Sequence, residues 1–394
     1  MWWLASLLIS ASPVSPGHAA VRFDEALSRV DAAGDVAGAE AGVRVRRDGL
    51  SKLGAFTSNP QLVAQPGMRT EGGALGAEGQ LTLTQSFNLG GLAGARRVVA
   101  SDEAEVAALQ HRLLRQERRI AVARAWLETW AAQAASDTAH EEEDSAKELL
   151  ARLERNVASG AVTRVELATA RAFAAEASAL HLEWEGRRVE AGATLASLLG
   201  LDAIALADGP APSFEAARVA VEPSALLPVK VAQGELRTEQ NRGDEVKAQW
   251  ATQLQVSLQG GREAPSQWFG NVGLGVTLPL LEQGRRERAL HEANAAKLSG
   301  ELSLAERRAR IALQLVAHEL EHTAETLEVV KGQQLPAAEE AAALESKRYA
   351  QGEATLLELT LLRRQALAAR IAAVVAEARF IAARAHAREL EESR

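Results

Sequence analysis

Two stretches of this chain repeat apolar residues every seven positions over a length that a compact globule cannot use. In the first, Val99, Val106, Leu113, Ile120, Leu127 and Ala134 form one series, with Leu109, Ala123 and Trp130 at the offset positions. In the second, Leu302, Ala309, Val316, Thr323 and Val330 form one series, and Leu313, Leu320 and Leu327 the other. A sustained a/d pattern specifies helices packed side by side as in a coiled coil. Each helix runs about 60 residues, or about 90 Å at about 1.5 Å per residue. The flanking positions, dense in Glu, Arg and Ala, read as solvated faces.

The two stretches sit in halves of the same order, offset by about 194 residues. RNVASGAVTRVELATAR (155–171) aligns with KRYAQGEATLLELTLLR (347–363), which puts Gly160 on Gly352, Thr163 on Thr355, Glu166 on Glu358 and Arg171 on Arg363. LTQSFNLGG aligns with TLPLLEQGR, with Gly90 on Gly284. The first repeat covers 21–205: a helix near 24–55, strands at 60–69 and 79–88, a long helix at 92–157 and a helix at 163–199. A Pro- and Ala-rich connection occupies 206–223. The second repeat covers 224–394: a helix near 224–250, strands at 252–261 and 270–281, a long helix at 285–350 and a helix at 355–392.

The strands alternate strictly. TQLQVSLQG places Leu254, Val256 and Leu258 on one face and Gln253, Gln255 and Ser257 on the other, and Val272, Leu274 and Val276 alternate with Gly and Asn. Strands of about ten residues with this alternation are the pattern of membrane β-barrels. Four strands cannot close a barrel, and open edges cannot sit in lipid. Three copies would supply about twelve, within the range of closed barrels. The fold class expected is therefore mixed: a long α-helical coiled-coil barrel and a transmembrane β-barrel to which each protomer gives four strands, built from two tandem repeats.

An apolar run from Trp2 to Ala11, then Pro, Gly and small residues, reads as a signal peptide at 1–20, although its first residues carry no Lys or Arg. The 394 residues hold no cysteine, which excludes disulfides, thiol nucleophiles and an acylated N-terminal Cys. The net charge of −8 gives no basic excess for a nucleic-acid partner.

These features resemble the TolC-type outer-membrane efflux factors. The resemblance rests on the repeat, on the strand pairs before the long helices, and on an aromatic-x-x-Gly-x-x-x-x-x-acidic-Leu turn. That turn is complete at Tyr349, Gly352, Glu358 and Leu359, and has Val157 in place of the aromatic in the first half. FNLGG leans toward the heavy-metal efflux branch. The resemblance implies a homotrimeric passive duct through outer-membrane lipid, with a periplasmic extension on which a periplasmic adaptor and an inner-membrane pump of a Gram-negative cell dock. It places the adaptor-contact tips at Ser159, Gly160 and Ala161 and at Gln351, Gly352 and Glu353. The periplasmic gate falls on Glu358 and Glu166, but the family's next acidic position is occupied here by Leu361. No catalytic residue, metal or cofactor is implied, and drugs or heavy-metal cations are the cargo classes.

One motif points elsewhere. HELEH (318–322) has the H-E-x-x-H spacing of zinc proteases, with His318 and His322 one helical turn apart. A protease also needs a third ligand and a cleft, and Glu325 stands where the extended motif requires Gly. The competing readings are thus this zinc protease and a non-transporting periplasmic coiled-coil adaptor. An adaptor should carry β-rich sequence between its helical arms, whereas here strands precede the long helices in both halves. His111, His140, His181, His291 and His386 are scattered along the chain and read as surface residues. The acidic run from Glu141 to Asp144 reads as a solvated face, and Trp126 and Trp130 as packing between helices.

Overall fold

The computed structural model describes residues 18–71, 74–157, 162–214, 221–264 and 267–392. The elements in chain order are β1 (His18–Arg22), α1 (Phe23–Arg29), a 3-10 turn (Val30–Ala32), α2 (Gly34–Ser51), β2 (Gln61–Glu71), β3 (Ala74–Asn88), α3 (Leu92–Val157), α4 (Arg164–Leu199) and β4 (Ile204–Asp208). A second 3-10 turn (Pro223–Ala225), α5 (Leu227–Gln249), β5 (Gln253–Ala264), β6 (Gln267–Thr277), α6 (Arg285–Val329), a π turn (Val330–Gln334), α7 (Leu335–Ala350) and α8 (Leu356–Glu392) follow. The described residues divide into two compact units, one drawn from 18–37, 114–221 and 311–392 and the other from 38–113 and 222–310. Helices α2, α3 and α6 contribute residues to both.

In the first unit the core gathers around Trp126, which is fully buried with Leu127, Leu195 and Val122. Phe23 meets the Trp126 ring edge-on at 5.3 Å, and Phe214 meets Phe23 at 5.8 Å. The Trp126 indole N–H donates to the Val21 carbonyl at 2.8 Å, which satisfies its one polar atom inside the core. Strand β1 pairs in parallel with β4, His18 opposite Ile204 through Arg22 opposite Asp208. This small sheet includes His18–Ala20, the end of the segment read as a signal peptide; residues 1–17 of that segment lie outside the described residues. It also occupies the start of the 206–223 connection, for which no strand was expected.

The second unit holds an antiparallel sheet of order β2-β3-β5-β6. Its strands lead into α3 and α6 at tight corners. The Asn88 side chain donates to the Ala248 carbonyl at 2.8 Å and accepts from the Gly90 N–H at 2.9 Å. Gly284 has φ of 65°, and a Cβ there would lie 2.2 Å from the Trp250 ring. Only glycine meets both demands at that corner. Helices α3 and α5 pack with Gly234 against Val106, so closely that a Cβ would come within 2.8 Å of the valine. Buried Glu239 accepts from Asn294 at 3.0 Å, pairs with Arg242 at 3.1 Å and lies 2.8 Å from His291 Nδ1.

Four expectations shift. Strand β3 begins at Ala74 rather than 79. The helix expected near 24–55 is two helices, α1 and α2, joined by the 3-10 turn. Strand β6 ends at Thr277 rather than 281, because Pro279 has no N–H to give to a ladder. The long second-half helix passes through a π turn at Val330–Gln334, just before Pro336. A proline inside an α-helix removes one hydrogen bond and clashes with the carbonyl four residues earlier, and the wider turn accommodates it. Among the described residues no helix is long and apolar enough to cross a membrane.

Candidate functional site

The four-stranded sheet has two chemically opposed faces. Leu62, Leu83, Leu258 and Val272 are successive register partners across all four strands. They form one continuous apolar row, yet they are 62%, 40%, 52% and 72% exposed. The adjacent row, on the other face, is Gln61, Thr84, Ser257 and Gly273. Further along the apolar face, Phe87 pairs with Leu254 and Leu254 with Val276, while Val256 pairs with Leu274. Burying one such side chain is worth about 1.5–3 kcal/mol. A whole face of them left exposed in a single chain therefore belongs against an apolar surrounding. Among the described residues β2 and β6 each pair on one side only, so two rows of backbone donors and acceptors stand at the sheet's edges.

The turn at 351–353 explains its motif residue by residue. Gly352 takes φ of 78°, its N–H donates to the Tyr349 carbonyl at 3.0 Å, and the Glu353 N–H donates back to the Arg348 carbonyl at 2.9 Å. This left-handed residue closes α7. Gln351, Gly352 and Glu353 are exposed. Tyr349 packs on a buried cluster of Leu149 and Leu153 from α3, Ala170 from α4, and Leu356 and Leu359 from α8. Burial, with the Glu166 charge nearby, pushes the Tyr349 hydroxyl up. The other tip residues, Ser159, Gly160 and Ala161, lie outside the described residues.

Glu358 and Glu166 both sit in capping boxes. The Thr355 N–H donates to Glu358 Oε2 at 2.8 Å, and the Glu358 N–H donates to Thr355 Oγ1 at 3.2 Å. Thr163 and Glu166 repeat the arrangement with the same two distances. Those hydrogen bonds hold both carboxyls below the ordinary range. The signal was present in TRVE and TLLE, since Thr three residues before Glu at a helix start is the capping-box pattern.

The histidines fall out differently from their sequence reading. His318 and His322 are exposed and stack at 5.9 Å. Glu319 turns to another side of α6, 3.8 Å from Arg124 and 4.0 Å from His386. Among the described residues no third ligand joins the HELEH pair. His386 is half-buried, and burial pushes its imidazole down. His140 and His181 were read as scattered, but α3 and α4 bring them to 4.7 Å between ring centroids, with Glu143 alongside. Glu143 is itself buried, and Glu142 is largely covered and pairs with Arg363 at 2.9 Å, so the run 141–144 is only partly a solvated face. The spacing of His140 and Glu143 on one helix was readable; their meeting with His181 depends on helix packing.

No family model and no curated protein matches this chain. Solved structures do. The outer membrane protein VceC from Vibrio cholerae is similar with a TM-score of 0.71 and 19% identity, over 93% of this chain and 95% of that one. The outer-membrane channel OprN gives 0.74 and 18%, over 93% and 89%. The open state of the MtrE outer membrane channel of Neisseria gonorrhoeae gives 0.72 and 17%, over 94% and 88%. At these identities the likeness establishes the fold.

Proposed function

We propose, from the premise that the chain has the fold of the TolC-type outer-membrane channels, that it is the outer-membrane duct of a tripartite efflux system in a Gram-negative cell. The observation that carries this reading is the sheet, apolar on one face, polar on the other and unpaired at both edges. Three copies pair β2 of one with β6 of the next, close about twelve strands into a barrel, and turn the Leu62–Val272 row toward lipid. The polar row then lines the lumen. Ile311 and Leu315 on α6, 64% and 61% exposed in a single chain, are covered by a neighbouring copy in such a trimer.

In this assembly the long helices form a second, periplasmic barrel. The turns at Ser159–Ala161 and Gln351–Glu353 meet the periplasmic adaptor, and an inner-membrane pump drives the cargo, drugs or heavy-metal cations. Three copies of Glu358, with Glu166, surround the periplasmic mouth and favour cations there. The duct performs no chemistry of its own.

Purified protein added to a planar lipid bilayer tests the reading. Stepwise conductance with cation preference is the expected result. A bilayer left unchanged by protein that is folded by circular dichroism would contradict it.

A further inference from the structure

Helices α3 and α4 turn three ligand-type side chains into one space. His140 and Glu143 come from α3 and His181 from α4, each offers one ligating atom, and these atoms all lie within 4.8 Å of one another. His181 Nδ1 is 2.6 Å from Glu143 Oε2, and His140 Nδ1 is 3.8 Å from the same oxygen. Ligand atoms about 2.0–2.2 Å from a tetrahedral zinc stand roughly 3.3 Å apart. The longer pair is already near that separation, and the shorter one opens to it by a small side-chain rotation.

Groups that could support metal ligands lie near two of the three. Ligating imidazoles commonly give their other ring nitrogen to a carboxylate, and ligating carboxylates are themselves hydrogen-bonded. His140 Nε2 lies 3.6 Å from Asp144 Oδ2, and Ser178 Oγ donates to Glu143 Oε1 at 2.6 Å. Glu143 is buried while His140 is exposed, so the cluster has an anchored carboxylate and an open side for solvent and entry. Two contacts compete: Lys147 Nζ is 2.6 Å from Glu143 Oε1, and the His181 Nδ1–H bond to Glu143 Oε2 must open, with that proton released or moved to Nε2, before both atoms can ligate.

We propose that His140, Glu143 and His181 form a binding site for a borderline divalent cation of the zinc class, with water completing the coordination. Two imidazoles and one carboxylate suit zinc, cobalt and nickel far better than calcium or magnesium, which take oxygen ligands. The bound ion ties α3 to α4 and displaces Lys147 from Glu143. The site stands apart from the HELEH pair.

The test uses the full chain extracted in detergent, with Co2+ as a spectroscopic probe and Zn2+ as its competitor. The visible absorption of tetrahedral cobalt should appear at one ion per chain and vanish on adding Zn2+. Loss of outer-shell partners alone typically weakens metal sites about 10–100-fold, so His140→Ala and His181→Ala should each weaken binding at least about tenfold. Lys147→Gln should tighten binding, whereas a purely structural Lys147–Glu143 pair predicts no gain. Zn2+ should raise the thermal midpoint of the native chain but not of His140→Ala, whose exposed position permits folding. Joint replacement of His318 and His322 should leave binding unchanged. Binding that survives His181→Ala, or that disappears with His318 and His322, would overturn the proposal.

Discussion

The Thr355 N–H donates to the Glu358 carboxylate at 2.8 Å, and the Glu358 N–H returns a bond to the Thr355 hydroxyl. Thr163 and Glu166 hold each other in the same way at the start of α4. Each pair satisfies two helix-end donors, so a Thr is as necessary there as the acid. Thr163→Ala should cost about 1 kcal/mol of stability, and Thr163→Ser close to nothing, measured as the shift in unfolding midpoint. Equal losses in the two variants would mean that the cap contributes nothing.

Glu358 carries two roles in the proposed duct, and Gln separates them. A glutamine at the third helical position keeps the capping box but removes the charge. Glu358→Gln should leave the thermal midpoint nearly unchanged and reduce the cation preference of single channels. Unchanged selectivity would remove Glu358 from the gate and leave it as a cap.

Gly352 and Gly284 both have positive φ, but their surroundings differ. Nothing lies within 4 Å of a Cβ at Gly352, whereas one at Gly284 would meet the Trp250 ring at 2.2 Å. Gly352→Ala should therefore cost only the left-handed strain, about 1–2 kcal/mol. Gly284→Ala adds a clash and should cost distinctly more. Comparing the two unfolding midpoints checks this; equal losses would contradict it.

Trp126 contributes through its ring and its N–H separately. Trp126→Ala should destabilise by about 3–5 kcal/mol through the cavity it leaves. Trp126→Phe keeps much of the volume but loses the indole N–H that bonds the buried Val21 carbonyl, and should cost about 0.5–1.5 kcal/mol. A Phe variant as stable as the native chain would show that water reaches that carbonyl.

Glu143 sets a pH dependence. Hydrogen bonds from Lys147, Ser178 and His181 hold its carboxyl at about 2, against an ordinary value of 4.5. A depressed carboxyl stabilises the fold fully above its unfolded value. That contribution is lost as the pH falls from 4.5 toward 2. The native chain should thus lose more thermal stability between pH 6 and 3 than Glu143→Gln, with no metal added. Parallel curves would contradict the assignment.

Much of this was legible in the sequence. Alternation placed β5 and the apolar face of β6, because a strand's period of two is set by the backbone alone. The long apolar heptads placed α3 at 92–157. The β1–β4 pair was not legible: IALAD is five residues long, and its partner lies 186 residues away. Nor was the π turn, since Pro336 alone signals a break and not how the helix absorbs it. The acidic run at 141–144 looked solvated because composition does not reveal that α4 and α8 cover Glu143 and Glu142. The Glu166 and Glu358 caps were visible in TRVE and TLLE but were read only through the family resemblance. The cluster of His140, Glu143 and His181 required knowing which face of α3 meets α4.

In the proposed duct the open edges of the β2-β3-β5-β6 sheet are closed by other copies of this chain in the outer membrane. The most direct measurement is the detergent-corrected mass of the protein extracted from the outer-membrane fraction. Three chains per particle are expected. A monomer, or a chain recovered only in the aqueous fraction, would contradict it.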